Sequence, residues 1–171
     1  MDGLHLRSNL PRRALAELHG NVFVEKCESC GHEIFHEQDL GGMGCRPTGN
    51  RCPECNTGAL HDTVLDWDTP ISEAEMAIAE EQVALADMVL CLGTSLRIIP
   101  AAELPLLVGS ARDDADEEDG KICIVNLQDT PLGSRADLVL HCKVDEVMQY
   151  LLDSFTHPTK GEAEDCSDDD Y

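Results

Sequence analysis

Three continuous apolar runs dominate the second half of the chain: Met88-Val89-Leu90-Cys91-Leu92, Ile122-Cys123-Ile124-Val125 and Leu138-Val139-Leu140. Short runs without polar alternation read as strands buried on both faces, the habit of parallel sheets. A helix is predicted ahead of the first run. Ser72 and Glu75 form a capping-box pattern there, and Met76, Ala79, Val83 and Ala86 recur on one face. A second helix falls within 101–111, weakened by Pro105. A third starts near Val144 and is expected to bury Val147, Leu151 and Phe155. This order of strands and helices implies an α/β protein with a parallel sheet. In such sheets ligands bind beyond the carboxyl ends of the strands.

The first half is patterned differently. Residues 8–19 read as a short helix, with Ser8 or Asn9 as its cap, Pro11 in its first turn and Gly20 as its stop. Residues 21–25 read as a strand, and Thr63 to Asp68 as a short extended run before Pro70. Between them lie Cys27-Glu28-Ser29-Cys30 and Cys52-Pro53-Glu54-Cys55, separated by 21 residues. The middle of that separation, 40–50, is glycine-rich and reads as a loop. Each Cys-x-x-Cys pair can present two sulfurs to one ion from a tight turn. Cys27, Cys30, Cys52 and Cys55 together close a tetrahedral shell around Zn²⁺. Two disulfides would use the same residues. The N-terminus, however, lacks the apolar segment of a secretory signal, so paired short spacings point to metal. A four-sulfur shell leaves no open position, so this zinc is expected to be structural.

Charge narrows the range of partners. The 171 residues carry 34 acidic and 12 basic side chains, a formal net charge of -22. That balance offers no basic face for direct nucleic-acid binding. Part of the charge lies in two runs, Asp113 to Asp119 and Glu162 to Asp170. They read either as solvated, disordered segments or as bait for a basic partner such as a lysine-rich tail. No apolar stretch approaches the ~18 residues of a membrane span. Of the nine cysteines, Cys91 and Cys123 read as buried small hydrophobes. Cys45, Cys142 and Cys166 have no assigned role.

Gly93-Thr94-Ser95 and Asn126-Leu127-Gln128 follow the first two strands, where ligands bind. Taken alone, the first is also an ordinary strand-to-helix turn, and the second also a capped turn. His19 stands at a helix stop, where a histidine often serves only the helix dipole. No Ser-His-Asp pattern, P-loop or G-x-G-x-x-G is present.

Together these pieces resemble a known family. Leu18-His19-Gly20-Asn21, the two cysteine pairs, Leu92-Gly93-Thr94-Ser95-Leu96 and Ile124-Val125-Asn126-Leu127-Gln128 occur in the order and spacing of the sirtuins. The chain is most similar to class IV, the sirtuin-six type, over about residues 2–152. Leu65-Asp66-Trp67-Asp68 stands where most sirtuins have a Phe-Gly-Glu stretch. The segment from Ile99-Pro100 to Leu104-Pro105-Leu106 also looks like that subgroup.

The resemblance implies an NAD-dependent protein-lysine deacylase, with mono-ADP-ribosyl transfer as a related activity. It implies NAD⁺ as co-substrate and an acylated lysine of histones or other basic proteins as substrate. It places the protein in the nucleus with possible chromatin association; without it, the cytoplasm is the expectation. His19 matches the histidine that acts as base on a ribose hydroxyl. Gly93, Thr94, Ser95, Asn126 and Gln128 match positions that hold NAD, and Val144 one beside the adenine. Asp2 matches the family's aspartate in the segment that follows a Gln-Asn stretch, and is carried over as a cofactor-binding residue. Trp67 matches a residue lining the substrate and nicotinamide side; a half-buried aromatic beside the cysteine module is an equal alternative.

The fold implied is the C-terminal part of a Rossmann-like parallel sheet with an inserted zinc-ribbon module. Its expected domains are 1–25 with 61–157 as the partial NAD-binding domain, 26–60 as the zinc module and 158–171 as an acidic tail. Sirtuins carry a further strand, a Gly-Ala-Gly turn and a Gln-Asn stretch ahead of the segment matched by Met1-Asp2-Gly3-Leu4-His5. The chain is therefore expected to be N-terminally truncated, with impaired activity. The competing expectation is a catalytically silent, zinc-stabilised binding fragment.

Overall fold

The computed structural model describes residues 1–111 and 120–157. The acidic run Asp113 to Asp119, the tail 158–171 and Cys166 lie outside the described residues. The chain divides into two compact units, Met1–Leu85 and Ala86–Tyr171.

The first unit opens with α1 (Leu4–Arg7), followed by a 3-10 turn over Arg12–Ala14. The helix expected over 8–19 does not form. Asn9 adopts a left-handed φ of 67°, and Pro11 and Leu15 are extended, so the backbone is broken three times. The segment is held instead by the Arg12 side chain. Its guanidinium donates to Glu33, Glu75 and the Leu15 carbonyl.

Four strands then form an antiparallel sheet: β1 (Val24–Cys27), β2 (Glu33–Phe35), β3 (Pro47–Arg51) and β4 (Ala59–Asp62), in the spatial order β2-β1-β4-β3. The expected loop over 40–50 is shorter than its composition suggests, because β3 pairs with β4 from Pro47 onward. β1 and β4 lie centrally and pair Glu25 with Asp62 and Cys27 with Leu60. Cys27, Cys52 and Leu60 make the unit's small core. Glu25 and Asp62 are buried opposite each other, an arrangement that needs partners. Glu25 receives hydrogen bonds from Asn50 and pairs with His36. Asp62 accepts the amides of Arg46 and Val64. Burial raises the Glu25 carboxyl, but hydrogen bonds from Thr48, Asn50 and His36 outweigh it and hold the group below its ordinary value.

The unit closes with α2 (Glu73–Leu85). Met76, Ala79 and Val83 lie on its less exposed side, as the periodicity predicts. Glu75 does not form the predicted capping box. It is 8% exposed and spends both oxygens on the N-terminal segment.

The second unit is a parallel sheet of β5 (Met88–Leu92), β6 (Lys121–Val125) and β7 (Leu138–Leu140), in the order β5-β6-β7. A 3-10 segment containing Pro105, Ala101–Leu107, takes the place of the weakened helix. α3 (Val144–Thr156) follows β7. Only the central strand is fully covered: Ile124 and Val125 are 0% exposed, while Met88 and Leu138 at the outer strands are half exposed or more. Cys91 and Cys123 are buried as expected, with burial pushing both thiols up. Along α3, Val147 and Leu151 are partly covered, but Phe155 is 82% exposed, contrary to the expected buried stripe. No described helix is long and apolar enough to cross a membrane.

Candidate active site and metal centre

The four predicted sulfurs converge. Cys27, Cys30, Cys52 and Cys55 place their Sγ atoms within 4.8 Å of one another. Two knuckles of the same construction bring them there. Gly31 follows the first pair with φ 71° and donates its amide to the Cys27 carbonyl at 3.0 Å. Asn56 follows the second with φ 57° and donates to the Cys52 carbonyl at 3.0 Å. Cys27 and Cys55 lie 3.7 Å apart, as do Cys30 and Cys52. A tetrahedral Zn–S distance of about 2.3 Å requires sulfurs about 3.8 Å apart, so the donor set fits Zn²⁺. The amides of Ser29 and Gly58 and the Thr57 hydroxyl point at Cys27 and Cys55. The Thr57 hydroxyl and the Gly58 and Thr57 amides draw the Cys55 thiol down to about 5. The His32 amide pulls Cys30 the same way, but burial and the three neighbouring sulfurs push it up to about 12. Four thiolates this close need a cation between them. Gly58 has no room for a side chain, since a Cβ would stand 2.4 Å from Cys27 Sγ.

His19 sits on a turn and lines a cavity of about 280 Å³ with Asp2, His5 and Glu17. Two predicted site residues, Asp2 and His19, are thus brought together. The Asp2 carboxylate accepts the Leu4 amide at 3.1 Å, which lowers its pKa. Gly20 is pressed onto the segment that follows β4: with φ 78°, its Cβ would stand 1.8 Å from the Thr63 carbonyl oxygen. Only glycine fits, and the approach fixes the turn behind the imidazole. Trp67 is 95% exposed and lines neither this cavity nor the next. It is not the half-buried aromatic of the alternative reading.

In the second unit a cavity of about 510 Å³ opens beyond the carboxyl ends of all three parallel strands. Gly93 and Ser95 line it after β5, Asn126, Leu127 and Gln128 after β6, and Cys142, Lys143 and Val144 after β7. Thr94 is absent from the lining; its hydroxyl accepts the Leu96 amide and shapes the turn. Asn126 donates from Nδ2 to the Gln128 carbonyl at 2.8 Å, and His141 Nδ1 lies 3.1 Å from the Asn126 carbonyl oxygen. Cys142 and Lys143 were not assigned from the sequence. Their signal was position, between the third strand and the helix it feeds.

A parallel sheet with a cavity at its carboxyl edge and a ribbon with a four-cysteine centre together define a Rossmann-like α/β protein with a zinc-ribbon module. The chain belongs to the Sir2 family, whose family model matches residues 1–100. It is 48% identical over 149 residues to the NAD-dependent protein deacetylase SRT1 of Oryza sativa subsp. indica, covering 86% of this chain and 29% of that protein. With the NAD-dependent protein deacetylase Sirt6 of Drosophila melanogaster it shares 33% identity over 156 residues, covering 86% of this chain and 47% of that one. The chain thus spans between about a third and a half of these relatives. Among solved structures, a Sir2 bound to acetylated peptide superposes with a TM-score of 0.64 at 25% identity, over 90% of this chain and 60% of the other. A Sir2 homologue in complex with ADP-ribose gives 0.64 at 29% identity, over 88% and 55%.

Proposed function

We propose that this chain forms part of an NAD-dependent protein-lysine deacylase. The cavity beyond the strand ends carries the reading. Gly93 brings bare backbone to its wall, since even a Cβ there would meet nothing nearer than Val144 Cγ2 at 3.6 Å. Asn126 and Gln128 supply amide groups for ribose hydroxyls, and Val144 an apolar surface for a base. NAD⁺, when bound, would supply the ribose carbon to which the acyl oxygen of the substrate adds as the bond to nicotinamide breaks and nicotinamide leaves. His19 would take the proton from a ribose hydroxyl, a task to which an imidazole is chemically suited. Cys27, Cys30, Cys52 and Cys55 supply a closed four-sulfur shell for a structural zinc. The resemblance to class IV supports a nuclear protein acting on acyl-lysine in histone-like tails, and a net charge of -22 favours such basic partners.

The test is calorimetric binding of ADP-ribose, with acyl removal from an acyl-lysine peptide measured in the presence of NAD⁺. Asn126→Ala should weaken ADP-ribose about tenfold, the worth of one well-made hydrogen bond. His19→Tyr should abolish turnover and leave ADP-ribose affinity within about threefold, because general-base loss costs ~10²–10⁴ in rate. Binding without turnover in the wild type would assign the silent-fragment reading instead. No binding at all would remove the nucleotide cleft.

A further inference from the structure

The turn that carries His19 is braced from both ends. Asn21, 1% exposed, uses every polar group it has. Its Nδ2 donates to Glu17 Oε1 at 2.8 Å, and its Oδ1 accepts the Phe23 amide at 3.0 Å. Its backbone amide donates to the Thr63 hydroxyl, which donates in turn to the Asn21 carbonyl. On the other side of His19, the Glu17 carbonyl accepts the Gly20 amide at 2.9 Å, and the Glu17 amide donates to Glu75 Oε2 at 2.9 Å. The His19 carbonyl accepts the Leu65 amide. Backbone on both sides of the imidazole is therefore committed.

We propose that Glu17 and Asn21 are positioning residues for His19: their side chains clasp across the His19-Gly20 turn and hold the imidazole at the wall of the cavity it lines. The proposal rests on the reading of His19 as the base. Glu17 and His19 share the wall of the same 280 Å³ cavity. The other titratable groups there are Asp2, His5 and the Met1 amine, while Arg12 and Glu75 act on Glu17 from the opposite side. Burial pushes the Glu17 carboxyl up, against the pull of Asn21 and Arg12. A clasped turn keeps the ring where the proton is delivered.

Two variants test the clasp in the zinc-loaded 171-residue chain. Glu17→Gln keeps an oxygen for Asn21, and Glu17→Ala removes it. The readouts are the His19 ring-proton chemical shifts and amide exchange at His19 and Gly20. Glu17→Ala should move the ring-proton shifts and speed exchange about tenfold, and Glu17→Gln should hold both at their wild-type values. Exchange unchanged in Glu17→Ala, or ring-proton shifts that Glu17→Gln displaces as far as Glu17→Ala does, overturns the proposal. If His19→Tyr retains turnover, the catalytic reading of His19 falls, and the shift and exchange results still decide the brace.

Discussion

Glu75 Oε1 accepts a hydrogen bond from Arg12 Nη2 at 2.6 Å, joining residues 63 apart in sequence. Its other oxygen holds the Glu17 amide, so one buried carboxylate ties α2 to the segment that leads into His19. Glu75→Ala leaves the Glu17 amide without its acceptor and removes one of the two carboxylates that hold Arg12. The expected loss is about 2 kcal/mol, read by urea unfolding of the zinc-loaded chain. A loss no larger than that of an exposed helix glutamate, such as Glu80→Ala, would show that the tie is incidental.

Gly20→Ala should be among the most damaging single-methyl additions in the first unit. The left-handed backbone costs an alanine ~1–2 kcal/mol, and the clash with the Thr63 carbonyl adds an overpacking term of about 1–3 kcal/mol. Thermal unfolding should report a loss of about 3 kcal/mol. A stable Gly20→Ala chain with an unchanged His19 NMR environment would contradict the close approach.

One zinc per chain is expected by elemental analysis. Chelation should unfold the antiparallel sheet, because metal affinity at such a centre is folding free energy. Cys27→Ser and Cys55→Ser should lose the metal, while Cys45→Ser, outside the cluster, should keep it. Full metal content in Cys27→Ser would exclude that sulfur from the centre.

Acid should weaken the first unit partly through Glu33. Burial raises its carboxyl, but the Arg12 hydrogen bonds and the charges of Arg12 and Lys26 outweigh this and hold it below its ordinary value of 4.5. A depressed folded value means that the unfolded chain binds the proton more readily. The stabilisation is therefore complete above about 4.5 and lost as pH falls through the lower folded value. The stability gap between wild type and Glu33→Gln should be flat near neutrality and close on acidification. A gap that widens below pH 4.5 would reverse the assignment.

Those features that depend on short, local patterns were legible in the chain. The apolar runs at Met88–Leu92 and Lys121–Val125 became parallel strands because neither alternates as a one-faced antiparallel strand would. The cysteine spacing became two knuckles because each pair needs only one turn to aim both sulfurs. Gly93, Ser95, Asn126, Gln128 and Val144 share one cavity because strand ends in a parallel sheet lie together. The misses have tertiary causes. Glu75 looked like half of a capping box, but the Arg12 guanidinium and the Glu17 amide outcompete its own helix terminus. Residues 8–19 looked helical until Asn9 turned left-handed and Arg12 found partners far along the chain. Phe155 fits a helical stripe by spacing, yet spacing alone does not supply a surface to cover it.

The register of β1 against β4 has a kinetic consequence. Cys27 pairs with Leu60, so the ladder starts at a cysteine of one knuckle and a few residues beyond Cys55 of the other. An ion gathered by all four sulfurs in the unfolded chain already closes the long loop between the strands. Since closure entropy grows with loop length, pairing Cys27 with Leu60 then becomes a local step, and the rest of the ladder zips outward from it. Refolding in stopped-flow should accordingly be faster when zinc is present from the first millisecond than when it is added after dilution from denaturant. The metal would then act as the nucleus of this sheet as well as its clamp.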